Sequence, residues 1–265
     1  PTLAQTEPRA TISQPVTQQL NEMDAAISKW ELLQKSRQLG FFDYGGFALA
    51  YPDFPRMGII QVRAENALAS EAVPRVDVLR YFDALPPVTN SGRARYAMAL
   101  AGDGRAKAFE VAREAWRGGQ MTQSIELTLE SLYGQRFTSE DHAARMDALL
   151  WQGDSAAATR HMANLLPAER RLAMARIALI GGSQPEAAGI ELPQGAYQDA
   201  GFLYNLVQNL RKSGKWNEAS AVLANRTAVN APAFDGEEMV GLMLAVAKKS
   251  SATTALRIAS RIDDL

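Results

Sequence analysis

The residues able to do chemistry are few, and their types already exclude much. His142 and His161 are the only histidines. They fall on different predicted helices, without the His-Glu-x-x-His pattern that puts two imidazoles on one helix face for a metal. His161 lies on an apolar stripe, so a packed or capped histidine is expected there. Cysteine is absent, which removes disulfides, zinc–thiolate sites and thiol nucleophiles together. Gly102-Asp103-Gly104 has no Lys-Ser/Thr after it and is no phosphate loop, and no G-x-S-x-G elbow offers a serine nucleophile. Glu126 and Glu130 stand one helical turn apart, a spacing open to an acid/base pair, but a solvated helix face is the expected reading. Glu237 and Glu238 read as first-turn acids at the positive end of a helix.

Two further groups suit binding better than catalysis. Arg160, Arg170, Arg171 and Arg176 could meet an anionic polymer; a solvated face shared with Glu169 is expected instead. Phe41, Phe42, Tyr44, Phe47, Tyr51 and Phe54 could form a stacking surface for sugars or a partner. A hydrophobic plug between the first helices is the expected reading. Trp30, Trp116, Trp151 and Trp216 lie on or beside apolar stripes and are assigned to packing.

The elements that hold these residues are read from a pattern that recurs four times. Small residues at Gly104, Gly153, Gly214 and Ser250 each separate two stripes spaced i, i+3, i+4, i+7, such as Met146/Leu149/Leu150 and Ala158/His161/Met162/Leu165. That period marks one face of an α-helix, and the small residue suits a tight turn, so each unit is a helical hairpin. Helices are further expected from about residue 16 through 39, over 56–70 and 74–84, over 121–134, and from Pro167 to Ile180 before Gly181-Gly182. The longest loop is expected over 183–195. No strand pattern appears. The uneven spacing of the anchors excludes a strict 34-residue tetratricopeptide array. The expected fold is all-α: an irregular superhelical solenoid of antiparallel helix pairs, curved or U-shaped, over residues 18–265. Residues 1–17, rich in Thr, Gln and Pro, are expected to be a flexible tail.

Composition agrees with such a fold. Hydrophobic residues make up 47% of the 265, enough for a sizeable core. The net charge of −1 supplies no bulk attraction to nucleic acid, and no partner of that kind is expected. No apolar run is long enough to span a membrane. The start at Pro1 without Met fits either a mature exported protein or an artificially trimmed chain.

Several stretches resemble the soluble lytic murein transglycosylases. They are Tyr51-Pro52-Asp53-Phe54-Pro55 with Arg63-Ala64-Glu65, the run from Gly92 to Leu100, Ala115-Trp116-Arg117-Gly118-Gly119, the run from Asp141 to Trp151, and the ending from Ala255 to Asp264. The resemblance spans residues 30–265. It implies a periplasmic protein acting on peptidoglycan, in a family that cleaves the bond between N-acetylmuramic acid and N-acetylglucosamine and leaves a 1,6-anhydro end. One glutamate serves there as acid and then base, in a lysozyme-like domain that follows a superhelical region of paired helices. This chain departs from the pattern where the catalytic signature belongs. Glu130-Ser131 and Gly241-Leu242-Met243 are far apart, and Leu244 replaces the expected glutamine. The expectation is therefore a superhelical scaffold without the lysozyme-like domain, with no catalytic residue, no metal and no cofactor. Arg136, His142, Arg145 and Trp151 are the candidate groove-lining residues. Peptidoglycan glycan strands, and possible further cell-wall proteins, are the expected partners. The alternative is a tetratricopeptide-like interaction module unrelated to the cell wall.

Overall fold

The computed structural model describes the backbone of residues 14–262 and, apart from residues 14–17 and 20, their side chains. Among the described residues there are fourteen α-helices and no strand. They are α1 (Gln14–Lys35), α2 (Phe41–Ala50), α3 (Met57–Ala67), α4 (Arg75–Ala84), α5 (Asn90–Gly102), α6 (Ala108–Arg117) and α7 (Gln123–Tyr133). After these come α8 (Ser139–Trp151), α9 (Ser155–His161), α10 (Pro167–Ile180), α11 (Ala200–Lys212), α12 (Trp216–Asn225), α13 (Gly236–Ala247) and α14 (Ala252–Ala259). None is long and apolar enough to cross a membrane. The tail boundary expected at residue 17 falls inside α1; residues 1–13 lie outside the described residues.

The described residues group into two compact units, divided between Gly92 and Arg93. In the first, α2 packs on α3, α1 packs on both, and α4 packs on α2. Phe41, Tyr44 and Phe47 put one face of α2 into the interior, with Leu33, Ile60, Ala64 and Tyr81 also buried. Phe41 meets Tyr81 edge-on, as Phe47 meets Phe54. The aromatic cluster is thus largely a plug, from which only Phe42 is left well exposed (58%).

In the second unit α6 packs on α7 and α8, α8 on α9 and α10, α10 on α11, and α11 to α14 on one another. Three of the four anchor turns repeat one geometry. Gly104, Gly153 and Gly214 have φ of 69°, 73° and 74°, the left-handed region that glycine enters without penalty. In each, the N–H of the following residue reaches back to a carbonyl of the ending helix: Arg105 to Leu100, Asp154 to Leu149, Lys215 to Leu210. Ser250 differs, because a serine has no such freedom. Its hydroxyl donates to the Val246 carbonyl at 2.9 Å and meets the Ser220 hydroxyl at 2.7 Å. Backbone bonds close this turn too, Lys249 N–H to the Val246 carbonyl and Ser250 N–H to the Ala247 carbonyl, and the hydroxyl adds a side-chain tie that the other three lack.

Candidate functional site

The charged centre of the second unit is built by α6 to α9. Arg145 of α8 is fully buried (0% exposed). A guanidinium so placed needs acceptors for its donors. Nη1 donates to the Gly119 carbonyl at 2.7 Å and the Trp116 carbonyl at 3.3 Å, both just past or within the last turn of α6. Nη2 lies 3.4 Å from Glu126 Oε2, and the guanidinium sits 4.2 Å from the Trp116 ring centre. Burial pulls its pKa below the usual arginine range, and Glu126 offsets part of that. Arg160 approaches the same Glu126 oxygen at 3.1 Å. Glu126 is therefore buried between two arginines, not on a solvated face; Glu130, one turn on, is exposed as expected.

One turn before Arg145, Asp141 closes a second ionic knot. Thr138 precedes α8 and accepts from the Asp141 N–H, while Asp141 Oδ2 accepts from the Thr138 N–H at 3.0 Å. Oδ1 accepts from Arg113 Nε at 2.8 Å and Arg117 Nη1 at 2.9 Å. Burial works against ionisation, but the Thr138 N–H and the two guanidiniums outweigh it and hold the carboxyl well below the usual carboxylate range. The motif from Asp141 to Trp151 is thus explained as a fastening strip: Asp141 and Arg145 bind α8 to α6.

The histidines lie beside this strip. His161 Nε2 is 3.0 Å from the His142 carbonyl, and Asn164 Nδ2 is 3.3 Å from His161 Nδ1. Those partners fit a neutral ring donating from Nε2. Burial lowers its pKa to about 4, the His142 carbonyl working the other way and Arg145 adding to the fall. Burial also lowers that of His142, against the raising effect of Asp141. The packed reading of His161 holds, and among the described residues no group of three or more His, Cys, Asp and Glu side chains could hold a metal.

Of the four groove candidates, three are joined by ring contacts. Arg136 lies 3.6 Å from the Phe109 centroid, Phe109 stacks on Phe137 at 6.1 Å, and Phe137 stacks on Trp116 at 4.6 Å. Arg145 and His142 both meet Trp116. The exposed Arg136 and the buried Arg145 therefore stand at two ends of a run of three rings. Trp151 lies apart, stacked on Tyr204 at 4.2 Å beside a pocket of about 180 Å³ lined also by Gln208 and Lys212. The arginine-rich segment is likewise not one solvated face. Arg176 is buried, with Nη1 2.5 Å from Asp147 and Nε 2.7 Å from Asn205, and Arg170 donates to the Leu165 and Ala163 carbonyls. Of the four, Arg171 is exposed and has no such tie among the described residues.

A wider concavity lies in the first unit, a cleft of about 650 Å³ between the turn after α1 and the outer face of α3. Arg37, Ile59, Val62, Arg63, Asn66 and Glu71 are among its lining residues. The sequence reading missed it, though a signal was present. The buried stripe of α3 is Met57, Ile60 and Ala64, so Ile59 and Val62 are β-branched side chains off that stripe, each 38% exposed. No protein-family model matches the chain, and no characterised protein and no solved structure does either.

Proposed function

We propose that this chain is a non-catalytic helical scaffold of the lytic transglycosylase type, an irregular solenoid of antiparallel helix pairs that works in the periplasm and lays a peptidoglycan strand or a partner along its surface. One observation carries the scaffold reading. Polar side chains tie elements about thirty residues apart, again and again: Arg113 to Asp141 (28), Arg176 to Asn205 (29), Asn209 to Leu179 (30), Ser220 to Ser250 (30) and Arg226 to Arg261 (35). A solenoid is held in this way, each hairpin bonded to its neighbour. Ion pairs also engage the two buried carboxylates of the second unit. Asp141 and Glu126 are each taken by two arginines, which leaves neither free to serve as a proton donor to a glycosidic oxygen. The cell-wall part of the proposal rests on the sequence resemblance, whose most extended motif, from Asp141 to Trp151, coincides with one of these ties.

The test is incubation of the purified chain with sacculi. The chain is expected to sediment with them and to release no anhydromuropeptide. Release of anhydro products by this chain alone would overturn the non-catalytic claim. Failure to sediment, together with capture of a defined protein partner, would replace the cell-wall reading by that of an interaction module.

A further inference from the structure

The cleft of the first unit has a chemistry of its own. Its volume, about 650 Å³, lies in the range of sites that hold a small molecule or a short peptide. Most of its polar groups are already engaged. The Tyr44 hydroxyl donates to the Ser36 carbonyl at 3.0 Å and accepts from the Leu39 N–H at 3.4 Å. Both oxygens of Glu71 lie on the Phe41 N–H, at 3.2 and 3.0 Å, and so complete the start of α2. The Ser70 hydroxyl donates to the Ala67 carbonyl, and one Arg63 nitrogen to the Leu33 carbonyl.

What remains is mainly donors. The Arg37 guanidinium has no partner among the described residues, and neither do the side-chain amides of Gln38 and Asn66; Arg63 has further N–H groups to spare. Two cations thus face the cleft against one carboxylate that is already capping a helix. A guanidinium fork matches the two oxygens of a carboxylate. The side-chain amides each donate and accept, which complements the N–H and C=O of a peptide unit. Ile59 and Val62 supply an apolar floor beside Gly58, whose missing side chain leaves open space.

We propose that this cleft binds a short peptide with small apolar side chains and a free C-terminal carboxylate, the carboxylate lying on Arg37 and Arg63 and the side chains on Ile59 and Val62. This site is independent of the scaffold proposal above and stands or falls by itself.

The test is a titration of the full ¹⁵N-labelled chain with N-acetyl-trialanine as the free acid and, separately, as its C-terminal amide. Saturable shifts are expected for the amide resonances of Gly58, Val62 and Asn66 with the acid. The amide is expected to bind at least about tenfold more weakly, as loss of a charge-assisted hydrogen bond requires. Arg37→Ala should weaken the acid by a similar factor. Arg37 is exposed and has no partner among the described residues, so this variant should leave the remaining resonances in place, which shows in the same spectrum that it is folded. Val62→Ser, a second variant on the apolar floor, should weaken the acid and the amide alike. Equal binding of acid and amide, an unchanged affinity in Arg37→Ala, or no saturable shift at these residues up to about 10 mM peptide overturns the proposal.

Discussion

Among the described residues the first unit buries one charged side chain, the anion Glu65, whereas the second buries both signs, the cation Arg145 among them. In the first, Glu65 of α3 is 1% exposed, and its carboxylate accepts from the Val88 and Thr89 N–H groups at 2.7 and 2.6 Å and from the Thr89 hydroxyl, just ahead of α5. Thr89 Oγ1 in turn accepts from the Gly92 N–H at 2.9 Å, so the anion and the threonine together complete the start of that helix. In the second, Arg145 is a cation set on the carbonyls that end α6. The sign of the charge follows the end of the helix: anion at the N-terminus, where N–H groups lack partners, and cation at the C-terminus, where carbonyls do. Each buried ion is thereby a long-range fastener, because the helix end it completes lies more than twenty residues away in the chain.

The difference lies in how much each ion carries. Arg145 also holds Glu126 and the face of Trp116, so its loss strands several groups at once. Arg145→Ala should lower the unfolding free energy by about 3–5 kcal/mol, the range for breaking a buried, paired charge. Urea denaturation measures it. A loss under about 1 kcal/mol would mean that the knot is incidental.

The next effect in size is on pH dependence and concerns the ring beside Arg145. Folded His161 has its pKa lowered to about 4 from 6.5. Between those values the unfolded chain binds a proton that folded His161 does not. Its contribution is thus fully present above pH 6.5 and is lost as pH falls to 4, amounting to about 3 kcal/mol. Asp141, whose pKa is depressed, adds a further loss only below the ordinary carboxylate range, where the unfolded chain takes up a proton that the folded carboxyl does not. His161→Gln keeps a donor for the His142 carbonyl and should flatten most of the slope between pH 6.5 and 4, the remainder belonging to His142. A slope unchanged in that variant would shift the effect onto other groups.

The counterpart in the first unit has a steric handle. A methyl on Gly92 would lie 2.1 Å from Glu65 Oε2, so only glycine lets the carboxylate reach this helix start. Gly92→Ala should be destabilising by about 1–3 kcal/mol through forced displacement. Glu65→Ala should also be destabilising by about 1–3 kcal/mol, through stranded N–H groups. The double variant should lose clearly less than the sum, since the methyl then has nothing to strike. Strict additivity would break the parallel between the units.

How far all this was legible in the sequence depends on whether the deciding chemistry is local. Both ends of α10 were, because Pro167 and Gly181 act within one turn of themselves. The turns at Gly104, Gly153 and Gly214 were as well. The turn at Ser250 was legible too, but its tie to Ser220, thirty residues earlier, was not. Nor was α2 read as a helix: Gly45 and Gly46 weaken its local signal, and it stands on the burial of Phe41, Tyr44 and Phe47 and on Glu71 at its start. The same rule explains the candidate site. Glu126 and Arg176 look solvated in one dimension because Arg160 and Asn205, the partners that bury them, arrive from other helices.

The smallest expected effect separates charge and burial from hydrogen bonding as such. Gln152 serves the same end of α6 as Arg145, with Nε2 donating to the Gly118 carbonyl at 2.9 Å and Oε1 accepting from the Gln120 N–H at 2.7 Å. It makes two good bonds at short range, yet it is neutral and solvent-exposed. Water can replace its bonds when it is removed, whereas water does not reach the groups around Arg145. Gln152→Ala should therefore lower stability by only about 1 kcal/mol, as for ordinary hydrogen bonds, measured in the same urea titration. If it matched Arg145→Ala, completion of the α6 terminus would be the whole effect, and the buried charge would add nothing to it.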